Sequence, residues 1–478
     1  MPVPHLTARN AILTSARTSA HEPGVVAKKG NDETAAVDSR LQLDVPQQNF
    51  ALDHSEGPPQ PRYALRAGQA GMKARVLVAV VLLLAGMAYA ADPRLPYVVS
   101  TLAGTPGEAG LENGNAATAK FNRPTWLDVV AHATPYEGID DGDIFVVDRA
   151  NQVLRKISHG TVSTYAVSDG YSLYIPSGNP FPFDFGGPFG GGVLIEPPGG
   201  GCGGNDYDRG MFVASSGGQQ IALVSFLGIL ANRDGHDVLG TAQTAGAQDG
   251  MRYQALFHTP TGLARSKTYN WSNISERKLF VADTGNHTIR RIGFGYSGEG
   301  CPQTSMVDTF AGTASMAGSV DGKGSAARFN APRGIATAPD GSLLVADSGN
   351  HTIRRIAADG TVTTIAGVPG VPGSDDGPAR TAHLNTPSGI DVDARGQIFF
   401  SDTGNHVIRM ITTDGQLVTI AGLAGVAAHA DGAGTAARFS GPVGIRVLEN
   451  GAIIVADTSN YVIRLLTPAD SRRRAARP

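Results

Sequence analysis

The feature that most constrains this chain is an internal repeat. The segment 343–354, Leu-Leu-Val-Ala-Asp-Ser-Gly-Asn-His-Thr-Ile-Arg, returns with few changes at 279–290, 398–409 and 453–464, and more loosely at 144–155. The last three copies are 55 residues apart. A fixed period of this length is typical of solenoids and propellers, in which each unit buries its apolar faces against its neighbours.

A second marker counts the units independently. An Asp-Gly or Asn-Gly pair is followed by a proline eleven residues after the Asp or Asn. This spacing occurs six times, at Asn113 and Pro124, Asp169 and Pro180, Asp249 and Pro260, Asp321 and Pro332, Asp376 and Pro387, and Asp431 and Pro442.

Each unit divides into four short strands, which the fourth unit shows most clearly. Its predicted strands are residues 334–338, 343–347, 352–357 and 362–366, and they are separated by Asp-Gly or Gly-Asn turns. Short runs rich in Ile and Val between such turns indicate β-strands. Six units of four strands predict an all-β fold, a six-bladed β-propeller.

The ends of the repeat region predict how the ring closes. The sixth unit ends at 463–466 and lacks a fourth strand. The segment 98–104, Val-Val-Ser-Thr-Leu-Ala-Gly, matches the fourth strand of unit four at 361–367. We therefore expect an N-terminal strand to complete the last blade.

The turn after the second strand of each unit resembles the signature of NHL repeats. It reads Asn-His at 286–287, 350–351 and 405–406, and it is degraded at 151–152 and 460–461 and lost at Gly218-Gln219. The resemblance covers residues 97–466 and implies a propeller. It implies no single function, because the family includes protein- and RNA-binding modules, receptor sensor domains and an amidating lyase.

The start of the chain differs from the repeats. Residues 1–71 have the composition of a disordered or misannotated extension. Residues 72–90 join a basic start, an apolar run and Ala-Tyr-Ala, which is the pattern of a signal peptide cleaved after Ala90, or of an uncleaved signal anchor. The propeller then spans 91–467, with a basic tail at 468–478, and is secreted or periplasmic; a membrane contact is expected only if 76–90 stays uncleaved.

Charged residues recur on the second and third strands of the units. Five units carry an aspartate at the end of the second strand and an arginine on the third strand, and in the second unit Ser215 and Ala222 replace both residues. Loss of both together is expected of a structural ion pair, because a lone buried charge is costly. The predicted structural pairs are Asp148 and Arg155, Asp283 and Arg290, Asp347 and Arg354, Asp402 and Arg409, and Asp457 and Arg464.

Candidate ligand contacts are expected where the units differ, because function tends to lie on variable loops of a rigid scaffold. The residues after the repeat prolines, with two loop histidines, predict a site at the channel mouth: Thr125, Thr261, Arg333, Ser388, His258 and His383. Insertions on the opposite face are predicted at 132–143, 186–210, 266–278 and 293–306. In an exported protein Cys202 and Cys301, which fall in two of them, are expected to form a disulfide.

The composition argues against one class of partner but does not identify the function. The net charge of −3 gives no basic surface of the kind that nucleic acids require, so no nucleic-acid partner is expected. The sequence favours a scaffold that binds a protein, a glycan or a small polar ligand, with no metal or cofactor. The alternative is a metal-dependent propeller enzyme, a lactonase-like hydrolase or a lyase, with its site at the channel mouth; calcium or zinc is expected only in that case.

Overall fold

The computed structural model describes residues 97–131, 139–168, 173–174, 191–195, 210–225, 238–267, 278–296 and 302–469. These ranges contain six antiparallel sheets, and the innermost strands of successive sheets pack on one another in a closed order. The predicted six-bladed β-propeller is therefore confirmed. Within the described ranges, no helix is long and apolar enough to span a membrane.

Each blade has four main strands, a to d, with strand a nearest the axis. Strands a are Pro124–Val129, Val193–Ile195, Pro260–Arg265, Pro332–Thr337, Pro387–Val392 and Pro442–Val447. Strands b are Ile144–Asp148, Gly210–Ser215, Lys278–Asp283, Leu343–Asp347, Ile398–Asp402 and Ile453–Asp457. Strands c are Val153–Ser158, Gln220–Ser225, Thr288–Tyr296, Thr352–Ile356, Val407–Ile411 and Val462–Pro468. Strands d are Thr161–Ser168, Val238–Leu239, Pro302–Ala311, Thr361–Ala366, Gln416–Ala421 and, for blade 6, Tyr97–Ala103.

Shorter elements complete the blades. Two-residue strands are Gly114–Asn115, Leu173–Tyr174, Gly250–Met251, Gly322–Lys323, Gly377–Pro378 and Gly432–Ala433. Three-residue 3₁₀ turns are Arg149–Asn151, Arg252–Gln254, Thr284–Asn286, Gly324–Ala326, Ser348–Asn350, Thr403–Asn405, Gly434–Ala436 and Thr458–Asn460. Most of the turns that join strands b and c end on a residue in the left-handed conformation, as His351 does at φ 58°.

The N-terminal strand closes the ring. Tyr97–Ala103 pairs antiparallel with Val462–Pro468, so that Val99 faces Leu466 and Thr101 faces Arg464. Val99 is 1% exposed. The first described strand therefore supplies strand d of blade 6, and the two ends of the propeller are joined by one hydrogen-bonded ladder.

Blade 2 departs from the prediction. The sequence marker placed its strand a after Pro180, but the structure places this strand at Val193–Ile195, paired with Met211–Val213 of strand b. The strand thus lies inside the segment 186–210 that was predicted to be an insertion. The reason is that the apolar Val-Leu-Ile run pairs with strand b. In the other five blades strand a begins at the repeat proline, whereas in blade 2 it does not. The signal segment and both cysteines lie outside the described residues.

Candidate functional site

The recurring charged residues meet between strands b and c. Both side chains of each couple are fully buried in the five blades that carry one. The carboxylate–guanidinium distances are 3.1 Å for Asp148 and Arg155, 2.9 Å for Asp283 and Arg290, 2.9 Å for Asp347 and Arg354, 3.0 Å for Asp402 and Arg409, and 2.8 Å for Asp457 and Arg464.

Each buried arginine also contacts a second acceptor, as Arg354 illustrates. Its Nη2 lies 2.7 Å from Asp321 Oδ1, and Asp321 also accepts hydrogen bonds from Thr364 of strand d. Burial raises the pKa of Asp347 to about 6, while Arg354 opposes that rise. Asp321, which belongs to the repeated Asp-Gly marker, thus joins the outer strand to the buried pair. The buried pair and Asp321 therefore join strands b, c and d of one blade.

The predicted residues at the channel mouth are engaged within the protein. Thr125, Thr261 and Ser388 are at most 2% exposed. The Thr261 hydroxyl donates to the backbone oxygen of Arg333 at 2.9 Å, and Arg333 Nη1 donates to Ser388 Oγ at 3.2 Å. Burial lowers the pKa of Arg333 to about 10.

The two loop histidines lie elsewhere. The backbone N–H of His258 donates to Asp283 at 2.7 Å, and His383 Nδ1 lies 2.7 Å from Asp375 Oδ1. The structure therefore brings Thr261, Arg333 and Ser388 together between neighbouring strands a and does not bring the histidines to them.

A cavity of about 230 Å³ lies on the axis, and all six strands a contribute to its wall. The third residue of strand a is glycine in blades 3 to 6, namely Gly262, Gly334, Gly389 and Gly444, and in blade 2 the pairing register aligns Gly192, the residue before strand a, with them. A Cβ at Gly334 would lie 2.1 Å from the backbone oxygen of Ser388, so the close approach of adjacent strands requires glycine there.

Blade 1 carries tryptophan at this ring position. Trp126 is 9% exposed and lines the cavity. Its indole N–H has no hydrogen-bond partner in the described part of the chain. An unpaired buried donor costs about 1–3 kcal/mol, so Trp126 is a candidate hydrogen-bond donor beside the cavity.

A charged triad spans three consecutive blades in the same wall. Arg446 Nε lies 3.0 Å from Asp128 Oδ1, and Arg446 Nη1 lies 3.4 Å from Asp391 Oδ2. All three residues occupy the fifth position of strand a, where blades 3 and 4 carry Ala264 and Ala336. The arginine side chain is 31% exposed, whereas both carboxylates are buried.

The carboxylates of the triad accept further hydrogen bonds from backbone. Asp128 accepts from Ile195 N at 2.7 Å, and Asp391 accepts from Val447 N at 2.8 Å, which joins each to the next blade. The two carboxylates raise the pKa of Arg446, so the guanidinium is charged. Within the described ranges, the ion pairs of Arg446 use Nε and Nη1, which leaves Nη2 as a donor at the cavity.

A shallower pocket of about 340 Å³ adjoins the cavity. It shares Arg265, Thr337 and Val392 with the cavity and continues over the a–b turns of blades 3 to 5, past Lys267 and Asp393. The cavity is therefore nearest the face that carries the predicted insertions.

Trp126 and the triad are not among the residues predicted from the sequence, although the sequence contains a signal for them. Aligning the units on their prolines shows Trp126 at a position that is glycine in units 3 to 6, and charged residues in otherwise apolar strands at Asp128, Asp391 and Arg446.

One group of three described side chains has the spacing of metal ligands, namely Asp140, Asp143 and His159. It does not line the axial cavity. Asp143 already accepts hydrogen bonds from the backbone N–H of Asp140 at 3.0 Å and from Lys156 at 3.3 Å. The lysine supplies positive charge beside these three side chains.

Six four-stranded blades surround a polar axial cavity, so the chain is a six-bladed β-propeller. Its repeats also resemble those of a known repeat family. The NHL repeat family model matches residues 329–356. Two relatives that are named NHL repeat-containing proteins also match, so this β-propeller carries an NHL repeat in blade 4 and is similar to NHL repeat-containing proteins.

Two curated relatives and one solved structure illustrate the likeness. The chloroplastic protein SUPPRESSOR OF QUENCHING 1 of Arabidopsis thaliana is 29% identical over 48% of this chain and 27% of its own length. NHL repeat-containing protein 2 of Bos taurus is 31% identical over 29% of this chain and 21% of its own length. A structural genomics protein of unknown function from Bacteroides thetaiotaomicron superposes with a TM-score of 0.53 at 18% identity, covering 78% of this chain and 76% of the other. The chain spans less than half the length of the curated relatives that it matches.

Proposed function

We propose that this NHL propeller is a binding protein for a small, oxygen-rich molecule, such as a carboxylic acid or a sugar, in its axial cavity. The observation that carries the proposal is Trp126, the one bulky side chain in a ring of five glycines, whose buried N–H faces no protein acceptor among the described residues.

The hydrogen-bond donors and acceptors in the cavity wall determine the chemistry of a ligand that fits it. Asp128 and Asp391 are occupied by Arg446 and by backbone N–H groups. Among the described residues of the wall, the side-chain donors that no hydrogen bond or ion pair uses include Trp126 Nε1 and Arg446 Nη2. A ligand with several oxygen acceptors satisfies them, whereas an apolar ligand leaves them unpaired at a cost in binding free energy.

The size of the cavity limits the ligand. A volume of about 230 Å³ equals roughly eight water molecules at about 30 Å³ each. This suits a compound of about ten non-hydrogen atoms. A longer ligand would extend into the adjoining pocket, where Arg265 and Lys267 lie.

A defined panel tests this proposal. Small carboxylic acids, neutral sugars and apolar compounds of equal size are titrated into the full propeller, and binding is measured by calorimetry and native mass spectrometry. We expect a carboxylic acid or sugar to bind and the apolar compounds not to. Trp126→Phe keeps the ring and removes the donor, and should weaken binding about threefold to tenfold, the equivalent of one hydrogen bond.

The same variant separates binding from folding. Because Trp126→Phe removes an unpaired buried donor, the free energy of unfolding without ligand should stay equal or rise. A fall in that free energy, or unchanged affinity for the ligand, contradicts the role assigned to Trp126. Arg380→Ala, at an exposed loop position, serves as the control and should leave both quantities unchanged.

Export of the propeller belongs to the proposal as well. It is supported by the signal-peptide pattern of residues 72–90. The intact mass of the protein isolated from its own cells should correspond to a chain that begins at Ala91. A mass that includes residues 1–71 excludes cleavage.

A further inference from the structure

The charges that surround Arg446 are not balanced. Two carboxylates contact its guanidinium group: Asp128 Oδ1 lies 3.0 Å from Nε, and Asp391 Oδ2 lies 3.4 Å from Nη1. The three side chains come from blades 1, 5 and 6, and all of them line the axial cavity. Two negative charges and one positive charge leave one negative charge in excess in this part of the wall.

The environment of Asp391 shows that this part of the wall is unfavourable for a further anion. Its oxygens accept hydrogen bonds from Val392 N at 2.9 Å and from Val447 N at 2.8 Å, which favour the ionised carboxylate. Burial and the charge of Asp128 nevertheless raise the pKa of Asp391, and Arg446 opposes that rise. A ligand anion in the cavity would repel Asp391 in the same way as Asp128 does.

The indole donor of Trp126 belongs to the same part of the wall. Trp126 stands two residues before Asp128 on strand a of blade 1, and both residues line the cavity. A ligand oxygen that accepts from Trp126 Nε1 therefore lies on the side of the cavity where negative charge is in excess. Because both carboxylates are buried, water and salt screen this charge less than they would at the surface.

A second arginine lines the cavity from the opposite side. Arg265 ends strand a of blade 3, which lies across the ring from blade 6, and its Nη1 donates to the backbone oxygen of Ile195 at 3.0 Å. With Arg265 included, the described residues that line the cavity carry two positive and two negative charges. The wall as a whole therefore suits a ligand without net charge.

We propose that Asp128 and Asp391 determine the specificity of the axial site by excluding anions, so that its ligand is a neutral sugar or polyol. This inference rests on the binding function proposed above and selects one of its two ligand classes. A hydroxyl oxygen accepts hydrogen bonds and carries no charge, so it bonds to Trp126 and Arg446 without repulsion from the carboxylates. A ligand carboxylate would instead share Arg446 with two anions that already contact it.

Pairs of ligands that differ in charge test this inference. Glucose and glucuronate, galactose and galacturonate, and glycerol and glycerate are titrated into the full propeller by calorimetry at neutral pH and low ionic strength. In each pair that binds, we expect the neutral member to bind roughly tenfold more tightly than the anion. Added salt should reduce this difference, because salt screens the repulsion.

Asp391→Ala tests the source of the preference. Blades 3 and 4 carry Ala264 and Ala336 at the same position of strand a, so a blade of this protein accommodates alanine there. Loss of one carboxylate should reduce the preference for the neutral ligand about tenfold, and Asp128→Ala should act in the same direction. Asp359→Ala removes an exposed carboxylate from the c–d turn of blade 4 and, as the matched control, should leave the preference unchanged.

The outcomes separate this inference from the binding function itself. Tighter binding of the acids, weakened by Trp126→Phe, overturns the inference and leaves the binding function intact. An unchanged preference in the folded Asp391→Ala or Asp128→Ala protein, or a preference that does not respond to salt, overturns it as well. If no member of any pair binds, the inference is overturned, and the rest of the ligand panel decides the binding function.

Discussion

The buried pair of Asp347 and Arg354 can be tested with a substitution that the chain itself supplies. Blade 2 carries Ser215 and Ala222 at these two positions, and there the Ser215 hydroxyl oxygen accepts a hydrogen bond from Gly218 N at 2.8 Å. We therefore consider Asp347→Ser, Arg354→Ala and the double variant, which reproduces in blade 4 the residues of blade 2.

The structure sets the size of the expected effects. Asp347→Ser leaves a fully buried guanidinium with Asp321, whose side chain is 42% exposed, as its remaining anionic partner. Arg354→Ala leaves a fully buried carboxylate that keeps only its bonds from Asn330 N and Asn350 Nδ2. Breaking one side of a buried pair costs about 3–5 kcal/mol, so each single variant should lose that much unfolding free energy.

The double variant should lose less than the sum of the two single losses, because neither charge remains to be left unpaired. We expect a coupling energy of about 0.5–3 kcal/mol, measured by urea unfolding of all four proteins at one pH. The control cycle combines Arg354→Ala with Asp457→Ser in blade 6, and these two losses should add. A coupling energy near zero for Asp347 and Arg354 would refute the structural reading of the repeated charges.

Three other regions give predictions of the same kind. Deletion of residues 97–103 removes strand d of blade 6, which contributes about 5–8 kcal/mol from its hydrogen bonds and buried side chains, so no cooperative thermal transition should remain; a normal melting curve would contradict closure. Burial lowers the pKa of His287, His351 and His406, so the folded protein favours neutral imidazoles and loses stability as the pH falls from 6.5 through the lowered values. Each of these histidines accepts a hydrogen bond from a backbone N–H of the next blade, and in blade 2 the side chain of Gln219 does so instead. Replacing the three histidines with glutamine should therefore reduce that loss, measured as the change in unfolding free energy between pH 7.5 and 5. An equal loss in the unmodified protein and the triple variant contradicts the assignment. Gly334→Ala places a Cβ against a backbone oxygen and should lower the melting temperature, whereas Gly396→Ala, with open space around its Cβ, should cost only backbone strain.

Much of the fold could be predicted because each unit repeats the same apolar runs and turn-forming residues. In blade 4, strand b is found at its predicted bounds, Leu343–Asp347, since an apolar run ends there at a buried aspartate. Strand a of blade 2 could not be predicted in the same way. It has only three residues, and its position is set by its pairing with strand b. This pairing is a tertiary interaction, and the position of the repeat proline in the sequence does not indicate it.

The axial site was harder to predict because strand a is irregular. The pairing register shifts between Pro332 and Ile335, and the same irregularity recurs in the other strands a that begin with proline. Such a bulge interrupts the alternation of side chains between the two faces of a strand. Counting from the proline therefore does not show that Trp126 lines the axis while Thr125 is buried within the wall.

The proposed binding role is tested most directly by a crystal structure of the propeller with the tightest ligand from the panel. We predict that an oxygen of the ligand lies within hydrogen-bonding distance of Trp126 Nε1 and that another oxygen lies near Arg446 Nη2. A ligand bound elsewhere on the propeller, with the axial cavity holding only water, would contradict the account.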